Sequence, residues 1–241
     1  MIINDKDIIG SLVAANYKTA EIFKKYGIDF CCGGNISIKK ASAEYKVDKN
    51  ALLAELNEVI SKKDIESDLL LKLNPDALID HIIEQHHSYI RQNTKNIPPY
   101  LEKLIKTHGA NHTELKEVQR LFLEASKALN QHINEEEEKL FPLIKKLVTT
   151  YQKEGKTAYN EVREIKHTIN KMLVDHDAEG ERFRTISKLT NNYKLPKDGC
   201  NTYRVTLAKL EEFENNLHRH IHLENNILFH KAIEMAKKLV N

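Results

Sequence analysis

The sequence predicts an all-α chain: a small helical domain over residues 1–67, followed by an antiparallel four-helix bundle over residues 68–241. Three observations carry this expectation. Only 8 Gly and 5 Pro interrupt 241 residues, and a hydrophobic content of 41% is enough to fill a core. Beyond residue 74, apolar residues recur at three- and four-residue steps through four long segments, with no alternation of period two. Between those segments lie Pro98-Pro99 with Gly109, then Gly155, then Pro196 with Gly199, which read as breaks. Long helices with short connections bury their apolar stripes as antiparallel neighbours around one interior.

The first helix is expected between Asp5 and Tyr26, carried by Ile8, Ile9, Leu12, Val13, Ala20, Ile22 and Phe23, with Gly27 as its C-terminal cap. Cys31-Cys32-Gly33-Gly34 then forms a turn. Asp48 caps a further helix through Leu52, Leu56 and Ile60, and the polar run Ser61 to Asp68 reads as a linker. Asn74-Pro75 opens the first bundle helix, with Pro at the first helical position.

Charge narrows the partners. Lys and Arg number 37 against 35 Asp and Glu, so a net charge of +2 offers no basic field for nucleic acid or a membrane surface. The N-terminal residues lack the basic-then-apolar pattern of a secretory signal, and no apolar run reaches bilayer-spanning length, which leads to the expectation of a cytoplasmic protein. Three cysteines, two of them adjacent, cannot build a disulfide framework, and reduced thiols are expected.

The second bundle helix carries Leu121, Ala125, Ala128, His132, Glu136, Leu140 and Leu143 on one stripe, so a His and a Glu sit inside its apolar face. The fourth repeats this with Leu210, Phe213, Leu217, His220, Glu224, Ile227 and Lys231. Leu140-Phe141 follows Glu136 at the spacing at which Leu228-Phe229 follows Glu224, which selects Glu136 from the run Glu135 to Glu138. His218 and His222 point about 200° away from His220. The third helix offers His176 on the stripe of Ile165, Ile169, Met172, Phe183 and Ile186. On the first, both His86 and His87 fall near the core and the pattern does not choose between them. His87 gives the more even spacing, since 45 residues separate it from His132 and 44 separate His176 from His220.

A single His on an apolar face is more often a hydrogen-bonded core residue than a ligand, and a Glu run is more often solvated surface. Six such residues on four helices, repeated in register, are not explained in that way. Four imidazoles and two carboxylates exceed the ligand set of one zinc ion, so two metals are expected, and nitrogen and oxygen donors without thiolate suit iron or manganese, with iron the first choice. If both glutamates bridge, an oxo or hydroxo group between the ions completes a centre with one open position. His81, His86, His108, His112, His167, His218, His222 and His230 are assigned to other roles, with His108 the first candidate for an exception. Cys200, with no partner in the sequence, reads as structural.

These residues resemble the iron-sulfur cluster repair di-iron proteins, the RIC family, whose bundle is hemerythrin-like. The likeness runs through Phe23-Lys-Lys-Tyr-Gly-Ile-Asp-Phe-Cys-Cys-Gly-Gly34, His176-Asp177 and His220-Ile-His-Leu-Glu-Asn-Asn-Ile-Leu-Phe229, and covers nearly the whole chain. It implies di-iron ligands at His87, His132, Glu136, His176, His220 and Glu224, with both glutamates bridging. Relatives often carry a second His three residues after the first-helix ligand, where this chain has Ile90. The resemblance further implies repair of clusters damaged by nitric oxide or peroxide through donated iron, with damaged iron-sulfur proteins as partners. Two other activities stay open: reduction of nitric oxide at the di-iron site, which would make the chain an enzyme, and non-enzymatic binding or sensing of dioxygen or nitric oxide. A homodimer is allowed for.

Cys31 and Cys32 read as candidate thiols for iron or electron transfer, because soft thiolates suit cluster iron. If the two cysteines sit beside a helix N-terminus near Lys39 and Lys40, the thiolate is expected to be favoured.

Overall fold

The computed structural model describes residues 2–153, 155–156 and 159–240. Among the described residues the chain is all-α, with no strand and one isolated antiparallel bridge between Ile8 and Ser37. No described helix is long and apolar enough to cross a membrane. The N-terminal region holds α1 (Ile9–Ala15), α2 (Thr19–Lys25), α3 (Ile38–Glu44), α4 (Lys49–Ile60) and α5 (Ile65–Lys72). Four long helical runs follow. The first is α6 (Pro75–His81), a π turn π1 (Ile82–His87) and α7 (Ser88–His108); the second is α8 (Glu114–Glu135), π2 (Glu136–Leu140) and α9 (Phe141–Gln152). The third is the single helix α10 (Tyr159–Leu189), and the fourth is α11 (Asn201–Leu223), π3 (Glu224–Leu228) and α12 (Phe229–Val240).

Packing groups these elements into two compact units, one of Met1–Ile79, Ile144–Glu164 and Ile221–Asn241, the other of Asp80–Leu143 and Ile165–His220. In the second unit all four long runs meet. Phe122, Phe183 and Phe213 are fully buried and stack or meet edge-on at 5.3–6.4 Å between ring centres, joining α8, α10 and α11. Tyr89 brings α7 onto the same cluster, 6.0 Å from Phe213. Burying rings of this size contributes about 1.5–3 kcal/mol each and fixes the angles between the helices.

The helix runs through Pro98-Pro99 instead of breaking there. Each proline removes a backbone donor, but Ile97, Leu101 and Leu104 on either side are all fully buried, and that burial holds the helix together through the pair. The helix expected from Asp5 to Tyr26 is divided at Asn16, whose side chain donates to Lys62 O at 2.8 Å and accepts from Lys18 N–H at 3.1 Å. Tyr17 N–H is taken by Asp64 and Ser67, so the chain gives up helical bonds for long-range ones. The run read as a linker holds the start of α5, with Asp64 accepting from Ser67 N–H. Lys231 closes the other end of α5 by donating to Leu71 O and Leu73 O at 2.7 and 2.6 Å. Asp48 caps α4 as expected, accepting from Asn50 N–H and Ala51 N–H, and Gly27 ends α2 with φ +68°.

Within the first unit the chain folds back so that Gly10 N–H donates to Gly34 O at 2.8 Å. A methyl group on Gly34 would lie 2.5 Å from Phe30 O and 3.1 Å from Gly10 Cα. Both neighbours are main chain and cannot swing aside. Gly34→Ala should therefore destabilise the protein by about 1–3 kcal/mol through overpacking. Urea unfolding should show a lower midpoint at unchanged slope; an unaltered midpoint would mean that the backbone approach is not tight.

Candidate metal centre

Three of the six histidine and glutamate positions expected as ligands lie at π turns. His87 ends π1, Glu136 opens π2 and Glu224 opens π3. At each turn a backbone bond spans five residues: Ser88 N–H to Ile83 O, Phe141 N–H to Glu136 O and Phe229 N–H to Glu224 O. A π turn inserts one residue into the helical ladder, and such turns are frequent at functional sites. The expected ligand on α10, His176, sits in unbroken helix.

In the second unit, His87, His132, Glu136, His176 and His220 converge, each no more than 5% exposed. Glu136 is the hub. Its Oε2 lies 3.4 Å from His87 Nε2 and 3.9 Å from His220 Nε2. Its Oε1 lies 3.2 Å from His132 Nε2 and 4.0 Å from His176 Nε2. One carboxylate thus faces one pair of imidazoles with each oxygen. Within each pair the rings are close, 5.1 Å between centres for His87 and His220 and 4.7 Å for His132 and His176. The Nε2 atoms of His132 and His176 are 2.9 Å apart. Each pair plus its Glu136 oxygen forms a group of nitrogen and oxygen donors compact enough to hold a cation. Glu224 lies in the other unit's segment, fully buried and one helical turn after His220 on the continuous α11–π3 run.

His86 and His87 occupy different surroundings. His87 faces Glu136, whereas His86 directs Nδ1 to Asn216 Oδ1 at 3.2 Å and stacks on His220. Burial, then the neighbouring His220, push His86 down to about 3, so it stays neutral. Burial likewise holds His220 well below the usual imidazole range, with His87 adding to the effect. A neutral imidazole keeps the lone pair that a cation needs.

A second layer that the sequence did not reveal sets the ring orientations. Glu137 Oε1 accepts from His87 Nδ1–H at 2.7 Å and from Arg91 at 2.8 Å, while Arg91 also donates to Asn134. Burial opposes ionisation of Glu137, but the bonds from Arg91 and His87 prevail and hold its carboxyl below the usual range. Asp175 Oδ2 stands 3.5 Å from His132 Nδ1, and that imidazole lowers the Asp175 carboxyl. Such carboxylates fix the tautomer and direct Nε2 inward. The three successive acids therefore serve different ends, with Glu135 pairing with Lys171 and Lys139, Glu136 facing the four imidazoles, and Glu137 orienting His87.

In the first unit, Asp29, Cys31 and Cys32 form another compact donor group. Asp29 Oδ1 accepts from the backbone N–H of Cys31 at 3.1 Å and of Cys32 at 2.9 Å, and the two Sγ atoms lie 3.8 Å apart. The loop is tied to π3: Asn225 donates to Cys31 O at 3.1 Å, and Asn226 donates to Phe30 O at 3.2 Å and to His222 Nδ1 at 3.0 Å. His222 is thereby placed against Tyr17 and Phe30, away from the direction of His220 as expected. The expected thiolate-favouring setting does not hold for Cys31. Its bond with Cys32, its burial and the charge of Asp29 all push the thiol up. Cys200, expected as structural, is exposed and lies 3.1 Å from His108 Nε2.

Two stretches of the chain match known protein families. Residues 5–60 match the ScdA_N domain, described as a domain of unknown function, and residues 78–232 match the hemerythrin HHE cation binding domain. The chain is similar to the iron-sulfur cluster repair protein ScdA of Staphylococcus haemolyticus, at 34% identity over 95% of this chain and 99% of the relative. It is 33% identical to ScdA of Staphylococcus epidermidis over 95% and 99% of the two chains. The iron-sulfur cluster repair protein YtfE of Yersinia pseudotuberculosis is 30% identical over 93% of this chain and 96% of its own.

The raised Cys31 pKa sets the direction of a pH dependence. Less thiolate at neutral pH means slow alkylation that accelerates only as pH rises beyond the ordinary thiol range. Asp29→Asn keeps an oxygen for the two N–H groups but removes the negative charge, and should speed iodoacetamide labelling of Cys31 at pH 7, followed by peptide mass spectrometry. An unchanged rate would mean that the Asp29 charge does not govern the thiol.

Proposed function

The chain belongs to the family of iron-sulfur cluster repair proteins, and from that premise we propose that it restores iron-sulfur clusters damaged by nitrosative or oxidative stress by supplying iron held around Glu136. One observation carries this reading: the two oxygens of a single buried carboxylate face two separate pairs of imidazoles. In the proposed arrangement His87, His220 and Oε2 hold one ion, His132, His176 and Oε1 hold the other, and Glu224 is a second shared carboxylate. The donor set fits iron, since nitrogen and oxygen ligands without thiolate suit a metal that changes oxidation state and keeps a position open. Bound iron would supply exchangeable metal and a place for nitric oxide or dioxygen to bind.

The chain's own groups prepare the site. Burial keeps His220 unprotonated, and the Arg91–Glu137 pair holds the Nδ1 proton of His87 so that Nε2 faces inward. Asp175 stands in the same relation to His132. The proposed outlet is the thiol loop, whose Cys31 carbonyl is bonded by Asn225, the residue after Glu224. Soft sulfur donors suit hand-over of iron to a damaged cluster in a client protein. Cys31 must give up its proton to bind metal, so hand-over through it is coupled to proton release. A carrier of dioxygen alone would have no use for such a loop.

The shared role of Glu136 predicts an order of metal loss. After anaerobic ferrous loading, the unmodified chain should hold two irons, His87→Ala should keep iron at the His132 and His176 pair, and Glu136→Ala should lose both, as read by elemental analysis. If His87→Ala strips both irons while Glu136→Ala keeps them, the shared-carboxylate reading fails.

Cys31→Ser combined with Cys32→Ser should leave the iron content unchanged and abolish reactivation of a nitric-oxide-damaged cluster enzyme. Undiminished repair by the double variant would remove the thiols from the mechanism. Sustained nitrous oxide production by the unmodified chain, without iron transfer, would replace donation with nitric oxide reduction.

A further inference from the structure

A second cluster of reactive groups lies at the other end of α11 from His220. Cys200 immediately precedes α11, which places its thiol beside the first backbone N–H groups of that helix. The thiol therefore occupies the N-terminal end of a 23-residue helix, where the backbone favours negative charge. His108 is the last residue of the 21-residue α7, where the carbonyl ends favour positive charge. Its Nε2 is 3.1 Å from Cys200 Sγ. The start of α11 thus favours a thiolate at Cys200, with the His108 imidazole beside it.

The surrounding groups support that charge distribution. The Tyr203 backbone at the start of α11, followed by the His108 contact, brings Cys200 down to about 7. Asp198 could repel a thiolate two residues away, but it is bonded to His112 Nε2 at 3.1 Å, and Glu114 takes His112 Nδ1 at the same distance. Burial works against a charged His112, yet these two carboxylates prevail and raise it. The buried ring of Tyr203 packs 5.3 Å from both imidazoles and backs the pair, while Cys200 itself is exposed. Along α11, 20 residues separate Cys200 from His220, roughly 30 Å of helix. This cluster is distinct from the Glu136 site.

We propose that Cys200 is a thiol–disulfide exchange site, with His108 as its base and a low-molecular-weight disulfide as its co-reactant. The Cys200 proton passes to His108 Nε2 and Sγ attacks one sulfur of the disulfide. The disulfide bond breaks as the new S–S bond forms, and the leaving thiolate takes a proton from His108 or from solvent. Cys200 is oxidised to a mixed disulfide and the departing half is reduced to a thiol; a free thiol reverses the step. The chain would thereby carry a reversible mark of thiol oxidation on a surface remote from the metal-ligand cluster.

The test uses the full-length protein and glutathione disulfide, with adducts at Cys31, Cys32 and Cys200 quantified separately by peptide mass spectrometry from pH 5.5 to 9.5. Cys200 should be the first cysteine modified, with a rate that rises to a plateau through a midpoint near 7. His108→Gln should raise that midpoint while the start of α11 still keeps it below the ordinary thiol range, and should slow the reaction at pH 7 by about two- to threefold, with the two rates converging at high pH. His108→Asn, with a shorter side chain, should behave in the same way and guards against a local packing effect of Gln. Modification at Cys32 without Cys200, or a Cys200 profile that neither variant moves, would overturn the proposal.

Discussion

The Glu136 carboxylate is the constraint on which the second unit depends. A carboxylate with no measurable exposure is costly to bury unless its oxygens are matched, and here each oxygen faces two imidazole nitrogens from different helices. All four long runs must then pass the same height in the correct rotation. The aromatic cluster of Phe122, Phe183 and Phe213 supplies the rigidity for that, since packed rings tolerate little sliding of one helix past another. Hydrophobic burial provides the stabilisation, and the polar centre sets which packing is accepted.

Around that centre the chain solves a problem of rotation. An uninterrupted α-helix advances 100° per residue, so a side chain one position from the core stripe points away from it. The π turns at His87, Glu136 and Glu224 change this locally by widening one turn. After each glutamate turn, two successive large residues, Leu140 with Phe141 and Leu228 with Phe229, are both buried. The same local widening accompanies the passage of Glu136 into the interior while Glu135 pairs with Lys171 outside.

Much of this was legible in the sequence. The helical class follows from apolar period and scarce breakers, and the convergence of His132, Glu136, His176 and His220 follows from their common stripe. The repeated Glu-to-Leu-Phe spacing that singled out Glu136 coincides with the two glutamate π turns, so the sequence displayed the turns without identifying them. The roles of Glu137 and Asp175 could not be read, because a carboxylate in an acidic run looks like solvated surface until the opposing helix is placed. The Cys200–His108 pair was hidden for a related reason: 92 residues separate its members, and each alone looks ordinary in a loop or at a helix end. The division of the first helix at Asn16 was missed because its cause, bonds to Lys62, Asp64 and Ser67, is equally remote. The run through Pro98-Pro99 was missed because burial on both flanks outweighs local propensity.

The thiol loop is anchored largely through its main chain. Asp29 binds the N–H groups of residues 31 and 32, while Asn225 and Asn226 bind the carbonyls of residues 31 and 30. None of these four bonds involves a sulfur atom. Asp29 Oδ1 also accepts from the Cys31 thiol at 3.3 Å, but the main-chain bonds ask chiefly for a small side chain at the buried position 31. Over evolutionary time this loop could exchange its chemistry while keeping its shape. The seat is conservative and its occupants are replaceable, so a relative with other residues there can share the fold and its docking without sharing the reaction.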